Sequence, residues 1–134
     1  MEMNIFLDSS FLIAISINKD THYKQAIKIV KKIKNPKIYS NNLVQYEAVN
    51  VICRKWGVKF SKKIDRFFKS YEIEKIKINN QIWQSAYKNL SKTYTKNGPN
   101  VFDYIHFACM KEYFISSVLT FDKHFQSFGF KISK

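Results

Sequence analysis

The apolar positions along the chain follow two rhythms, and their order predicts the elements. Ile5, Phe6 and Leu7 form an unbroken apolar run of strand length, the kind buried on both faces of a sheet. Ser9 and Ser10 then offer a cap to a short helix from about Phe11. Thr21 is placed to cap a helix over about 22–34, with Ala26, Ile29, Val30 and Ile33 as its apolar stripe and lysines on the opposite face. Asn35-Pro36 ends that helix, 37–40 reads as a second strand, and Asn41 or Asn42 caps a helix running to Gly57, which terminates it.

Another helix is expected over about 61–71. Isoleucines alternating with charges predict a strand within 72–78. A long helix over about 80–94 carries Ile82, Trp83, Ala86, Tyr87 and Leu90, and Lys96-Asn97-Gly98-Pro99 breaks it. A helix over about 101–113, a strand at 117–120, a helical turn around 123–127 and a last strand at 130–132 complete the chain. Strand and helix alternate throughout, which predicts an α/β domain over residues 1–134 with a mainly parallel sheet, right-handed crossovers and helices on both faces.

Composition narrows this picture. The 134 residues are 46% hydrophobic and 16% aromatic, enough for a packed core. Cys53 and Cys109 lie in helix-like apolar patterns without a second ligand at metal spacing, so they read as reduced core residues of a cytoplasmic chain. A charged-then-apolar leader and a bilayer-length apolar run are both missing, which argues against membrane insertion. The formal charge is +13, and 21 of the 23 basic residues are lysines. Point charges of that kind suit phosphate backbones, although biased composition alone could produce them.

Against that background the ten acidic residues stand out by position. Glu2, Asp20, Asp65, Glu72, Glu74 and Glu112 have ordinary surface or helix-end readings. Asp8 ends the first apolar strand, where open α/β sheets place their ligands, and Asp122 repeats that situation after the strand at 117–120. Glu47 lies four residues after Leu43 and four before Val51, on the stripe expected to face the sheet. Asp103 lies four before Phe107, also on a buried stripe. Each has a structural alternative: Asp8 and Asp122 as helix caps, Asp103 as the acid of a first-turn capping arrangement with Asn100.

Four such carboxylates about 5–6 Å apart would repel by roughly 3 kcal/mol per pair at an effective dielectric near 20. Together they call for a cation, and oxygen donors select Mg²⁺ or Mn²⁺ over zinc. Such a site can activate water against a phosphodiester. His106, three residues after Asp103, is readable as its orienting partner or as a satisfied core histidine. His124 could touch a substrate phosphate or only pack, and His22 looks like surface. No Ser-His-Asp or Cys-His arrangement can be assembled.

At these residues the chain resembles the PIN-domain family of metal-dependent nucleases, in particular the VapC-type toxins of toxin–antitoxin pairs. The matching pieces are Phe-Leu-Asp8-Ser-Ser, Tyr-Glu47-Ala-Val, Phe-Asp103-Tyr-Ile-His-Phe-Ala and Leu-Thr-Phe-Asp122-Lys-His-Phe, in that order across nearly the whole chain. The resemblance implies a three-layer α/β/α sandwich and Mg²⁺- or Mn²⁺-dependent cleavage of RNA. It also implies Asp8 and Asp103 as the leading metal ligands, Glu47 holding water or acting as base, and Asp122 completing the cluster or holding a second ion. Thr120, Ser9 and Ser10 could hydrogen-bond a ligand or water. A homodimer and a small antitoxin partner are implied as well.

Three other readings compete with it. A haloacid-dehalogenase-like phosphatase needs a second Asp where Ser10 stands, and Gly57, Gly98 and Gly129 build neither a phosphate loop nor a dinucleotide fingerprint. The third is a basic RNA-binding adaptor, or an RNA-processing protein of the same fold without an antitoxin. The basic clusters at Lys31, Lys32 and Lys34 and at Arg54, Lys55, Lys59, Lys62 and Lys63 would serve it equally.

Overall fold

In the computed structural model, which describes residues 3–134, the first apolar run is the middle of the sheet. β1 (Met3–Leu7) buries Ile5, Phe6 and Leu7 completely, as a strand does when its neighbours and both its faces are covered. β1 pairs with β2 (Pro36–Ser40) on one side and β4 (Ser117–Leu119) on the other. The two outer strands, β3 (Glu74–Lys75) and β5 (Lys131–Ile132), complete the order β3-β2-β1-β4-β5, and every pairing is parallel.

The helices are α1 (Ser9–Ser16), α2 (Tyr23–Lys32), α3 (Asn42–Lys55), α4 (Lys62–Ser70), α5 (Asn80–Thr93), α6 (Val101–Glu112) and α7 (His124–Ser127), with a 3₁₀ turn at Val58–Ser61 before α4. α1 packs on α2, α3 and α4, while α6 packs on α5 and α7. Right-handed crossovers running one way from β1 and then back past it put these two groups on opposite faces. The result is the three-layer α/β/α sandwich. Among the described residues, no helix is long and apolar enough to cross a membrane.

Several local expectations shift for identifiable reasons. Thr21 does not cap α2; the Asp20 side chain accepts the His22 amide at 2.9 Å and the helix starts later. β3 shrinks to two residues because it is an edge strand with a ladder only to Tyr39 and Ser40. Gly57 is the expected terminator: its φ of +107° lets both Trp56 and Gly57 amides bond the Ile52 carbonyl. α3 buries Val44, Ala48 and Ile52, one residue round from the stripe expected through Leu43, Glu47 and Val51. α6 is buried all round from Asp103 to Met110, so Asp103 lies in a buried helix start and not on a stripe.

Candidate active site

The chain leaves β1 toward β2, and after β3 it crosses back to β4 on the other side of β1. That reversal makes the carboxyl ends of β1 and β4 the switch point of the sheet, where such folds open a crevice. Asp8 follows β1 and Asp122 follows β4 by a short step. The Asp8 amide donates to the Leu119 carbonyl at 3.0 Å, which ties the two strand ends together.

Asp8 occupies the N-cap position of α1, yet its side chain makes no capping hydrogen bond. Two hydroxyls converge on its Oδ2 instead, Ser10 at 2.9 Å and Thr120 at 2.7 Å. Ser10 also accepts the Phe121 amide at 3.0 Å, and Thr120 accepts the Asp122 amide at 2.9 Å. Each hydroxyl commits its one proton to Asp8 and accepts a backbone amide, and together they brace the segment after β4 against Asp8. Burial raises the Asp8 pKa; His106 and the two hydroxyls work in the opposite direction.

Asp103 opens α6 in a capping box with Asn100. The Asn100 side chain accepts the Asp103 amide at 2.9 Å, and Asp103 Oδ2 accepts the Asn100 amide at 3.0 Å. The capping reading is thus correct, and it does not exhaust the residue. Burial pushes the carboxyl up to about 6; the Asn100 amide lowers it, and the nearby charges of Asp122 and Asp8 raise it further. Asp122 turns into α7 with its Oδ1 accepting the His124 amide at 2.9 Å and lying 3.2 Å from His124 Nδ1. One ligand atom from each of Asp103, Asp122 and His124 falls within 4.8 Å of the others.

Glu47 reaches this edge through His106. Asn41 caps α3 with its side-chain oxygen on the Val44 amide, 2.9 Å, so its Nδ2 must face His106 Nδ1 at 3.0 Å. Nδ1 is then the acceptor, and Nε2 carries the proton donated to Glu47 Oε1 at 3.0 Å. His106 is completely buried and the Glu47 side chain 29% exposed, so a buried ring holds a part-exposed carboxylate. The same ring lies close to Asp8 and Asp103.

The structure therefore gathers Asp8, Asp103 and Asp122 at one edge and attaches Glu47 to it through His106. His106 does not orient Asp103 by a hydrogen bond; it is a core histidine whose two partners are Asn41 and Glu47. His124, within ligand range of Asp103 and Asp122, and the Asn41 anchor went unrecognised in these roles from sequence. His124 was visible two residues after a strand-end acid, whereas the contact between Asn41 and His106 spans 65 residues and leaves no local pattern. Cys109 is buried beside Asn41 with its thiol pushed up to about 11 by burial, which suits an inert core residue; Cys53 is half-buried.

The donor set fits a hard divalent cation, with Asp103 in electrostatic contact with both Asp122 and Asp8 and one imidazole in reach. The roomiest cavity described, about 780 Å³, lies elsewhere, near the start of β1 among Met3, Lys32, Lys34 and Lys131. It contains none of the four acids.

The PIN domain family model matches residues 5–131 of this chain. No curated protein matches it. Among solved structures, the chain is similar to Mycobacterium tuberculosis VapC20, described as a Sarcin-Ricin loop cleaving toxin, with a TM-score of 0.84 and 21% identity over 94% of this chain and 95% of that one. VapBC2 from Rickettsia felis, bound to a DNA fragment from its promoter, gives a TM-score of 0.66 at 14% identity over 98% of both chains. DNA-bound VapBC from Salmonella typhimurium gives 0.65 at 15% identity over 98% of this chain and 97% of that one.

Proposed function

The chain belongs to the PIN-domain family, and from that footing we propose that it is a Mg²⁺- or Mn²⁺-dependent endoribonuclease with Asp8, Glu47, Asp103 and Asp122 as its catalytic residues. The observation that carries this reading is the convergence of Asp103, Asp122 and His124, whose ligand atoms lie within 4.8 Å of one another, with burial and the charges of Asp122 and Asp8 raising the Asp103 carboxyl. A fold that packs repelling carboxylates into its switch point is built for a cation. Asp8 and Asp103 would hold the ion, with Asp122 and His124 beside them. Once bound, it supplies positive charge for the phosphoryl oxygens and a nucleophile at neutral pH.

The chain's own groups then divide the work of hydrolysis. Ser10 and Thr120 keep Asp8 fixed, and His106 holds the Glu47 carboxylate. Glu47 takes the proton of the attacking water as its oxygen joins phosphorus and the bond to the leaving nucleotide breaks. RNA cleavage is expected with Mg²⁺ or Mn²⁺, and it is expected to stop with chelator and in Asp8→Asn. Binding to RNA that survives all three treatments without any cleavage would establish the non-catalytic adaptor instead.

The biological setting we propose is the toxin half of a type II toxin–antitoxin pair, acting in the cytoplasm as a homodimer. Support comes from the VapC and VapBC relatives by fold. On this chain, Trp83 and Tyr87 stand exposed side by side on α5, 5.8 Å apart, as apolar surface a second copy can cover. Co-expression with the product of a short neighbouring reading frame should relieve growth arrest. A chain whose expression arrests nothing would favour RNA processing without an antitoxin.

A further inference from the structure

Away from the acids, one aromatic ring collects three positive charges. Phe60, in the 3₁₀ turn after α3, is half-buried and packs against the core, so its ring is a fixed platform. The ammonium groups of Lys19, Lys59 and Lys63 stand 5.5, 5.5 and 5.8 Å from its centroid. No two of them can then be more than about 11 Å apart, close to the screening length at 0.1 M salt. They arrive from separate segments: Lys19 from the loop after α1, Lys59 from the turn and Lys63 from α4. None of the three makes an ion pair with a carboxylate among the described residues.

Each amine gains a little from the ring face, but their mutual repulsion opposes the gathering. An anion with several oxygens relieves the repulsion and uses the donors. Lys55 stands 5.3 Å over the ring of Trp56, just before the turn that carries Phe60. Lys55 ends the helix that carries Glu47, about 12 Å further along its axis. A polynucleotide strand covers that distance in a few nucleotides.

We propose that the Phe60 platform, with Lys19, Lys59 and Lys63 around it, is a subsite for the phosphodiester backbone of RNA a few nucleotides from the bond placed at the acids. The position relative to a scissile bond rests on the nuclease reading above; the binding itself does not. Lysines act there as point charges without a fixed fork, so the subsite grips the strand without reading its sequence.

The test uses the full chain in EDTA, which prevents cleavage, and a 12-nucleotide oligo(U) as probe. A Lys19→Gln, Lys59→Gln, Lys63→Gln triple variant is compared with a Lys88→Gln, Lys92→Gln, Lys111→Gln triple, which removes equal charge from the α5 and α6 surface. The first triple should raise Kd at least tenfold at 0.1 M salt and lower the slope of log Kd against log salt by about 2, from roughly 0.7 for each lost phosphate contact. The second should do much less of both. Equal effects from the two triples would reduce the patch to net charge and overturn the proposal. So would an unchanged RNA affinity with lost binding to poly-glutamate, which would mark the patch as a site for an acidic protein. With Mg²⁺ or Mn²⁺ restored, a dinucleotide, whose single phosphodiester cannot occupy both places, should be cut equally by wild type and the first triple. If wild type cuts nothing, the nuclease reading has failed while the EDTA titrations still decide the subsite.

Discussion

Thr120 donates its hydroxyl proton to Oδ2 of Asp8 over 2.7 Å, joining residues 112 positions apart. The Thr120 hydroxyl oxygen in turn accepts the Asp122 amide at 2.9 Å, so one hydroxyl fixes two of the four acids. Thr120→Val keeps the shape and removes both bonds. The lost partners should cost about 1–3 kcal/mol in urea unfolding, and kcat/KM for RNA cleavage should fall at least tenfold. A variant as stable and active as wild type would dismiss the brace.

Asp103→Asn retains an acceptor for the Asn100 amide while removing a charge from the cluster. The ion-free variant should melt higher than wild type by about 3–8 °C, since roughly 1–2 kcal/mol of repulsion and desolvation is relieved. Mg²⁺ or Mn²⁺ should raise the melting temperature of wild type and leave the variant unmoved, and cleavage should vanish. Because His124 offers nitrogen, Mn²⁺ should give the larger shift of the two ions. A lower melting temperature without metal would show that the carboxylate is stabilised by something other than a cation.

Asp103 also sets a pH dependence. Its carboxyl titrates near 6 in the folded chain against an ordinary value of 3.8. Between those values the folded state binds more protons than the unfolded state, so the ion-free protein loses stability as pH rises from about 4 to about 6, by at most about 3 kcal/mol. Above 6 this contribution is flat. Denaturation of wild type and Asp103→Asn at several pH values in EDTA isolates it, because other carboxyls cancel in the difference. Ion affinity should move the other way, rising as the proton leaves near pH 6.

His106→Phe fills the same space but leaves the Asn41 amide and Glu47 without their partner. Unfolding should cost about 1–3 kcal/mol less energy, kcat should fall and ion affinity should persist, because Glu47 and not the ion loses its support. Combined with Glu47→Gln, the two effects on kcat should overlap instead of adding, the mark of residues acting through one another. Additive losses would separate His106 from Glu47.

The strand-end acids were legible because an apolar run followed by a carboxylate is a local signal, and Asp8 and Asp122 carry it. Asp103 showed both of its roles in sequence, the box with Asn100 and the odd acid in apolar surroundings. Glu47 was singled out for the wrong reason: the buried stripe of α3 runs through Val44, Ala48 and Ile52, and a helix turns 100° per residue, which leaves Glu47 on its flank. His106 stayed ambiguous because its partners, Asn41 and Glu47, come from another helix. Periodicity reports which face a residue occupies, and a hydrogen bond between distant segments has no period to report.

The two outermost strands of the sheet are two residues long, Glu74–Lys75 and Lys131–Ile132, and each carries a lysine. Neither rim offers enough unpaired backbone for another chain to zip onto, and the charge discourages the attempt. Self-association that respects this fold must therefore join helices side by side, leaving the sheet finite and the crevice at the ends of β1 and β4 uncovered by any added strand.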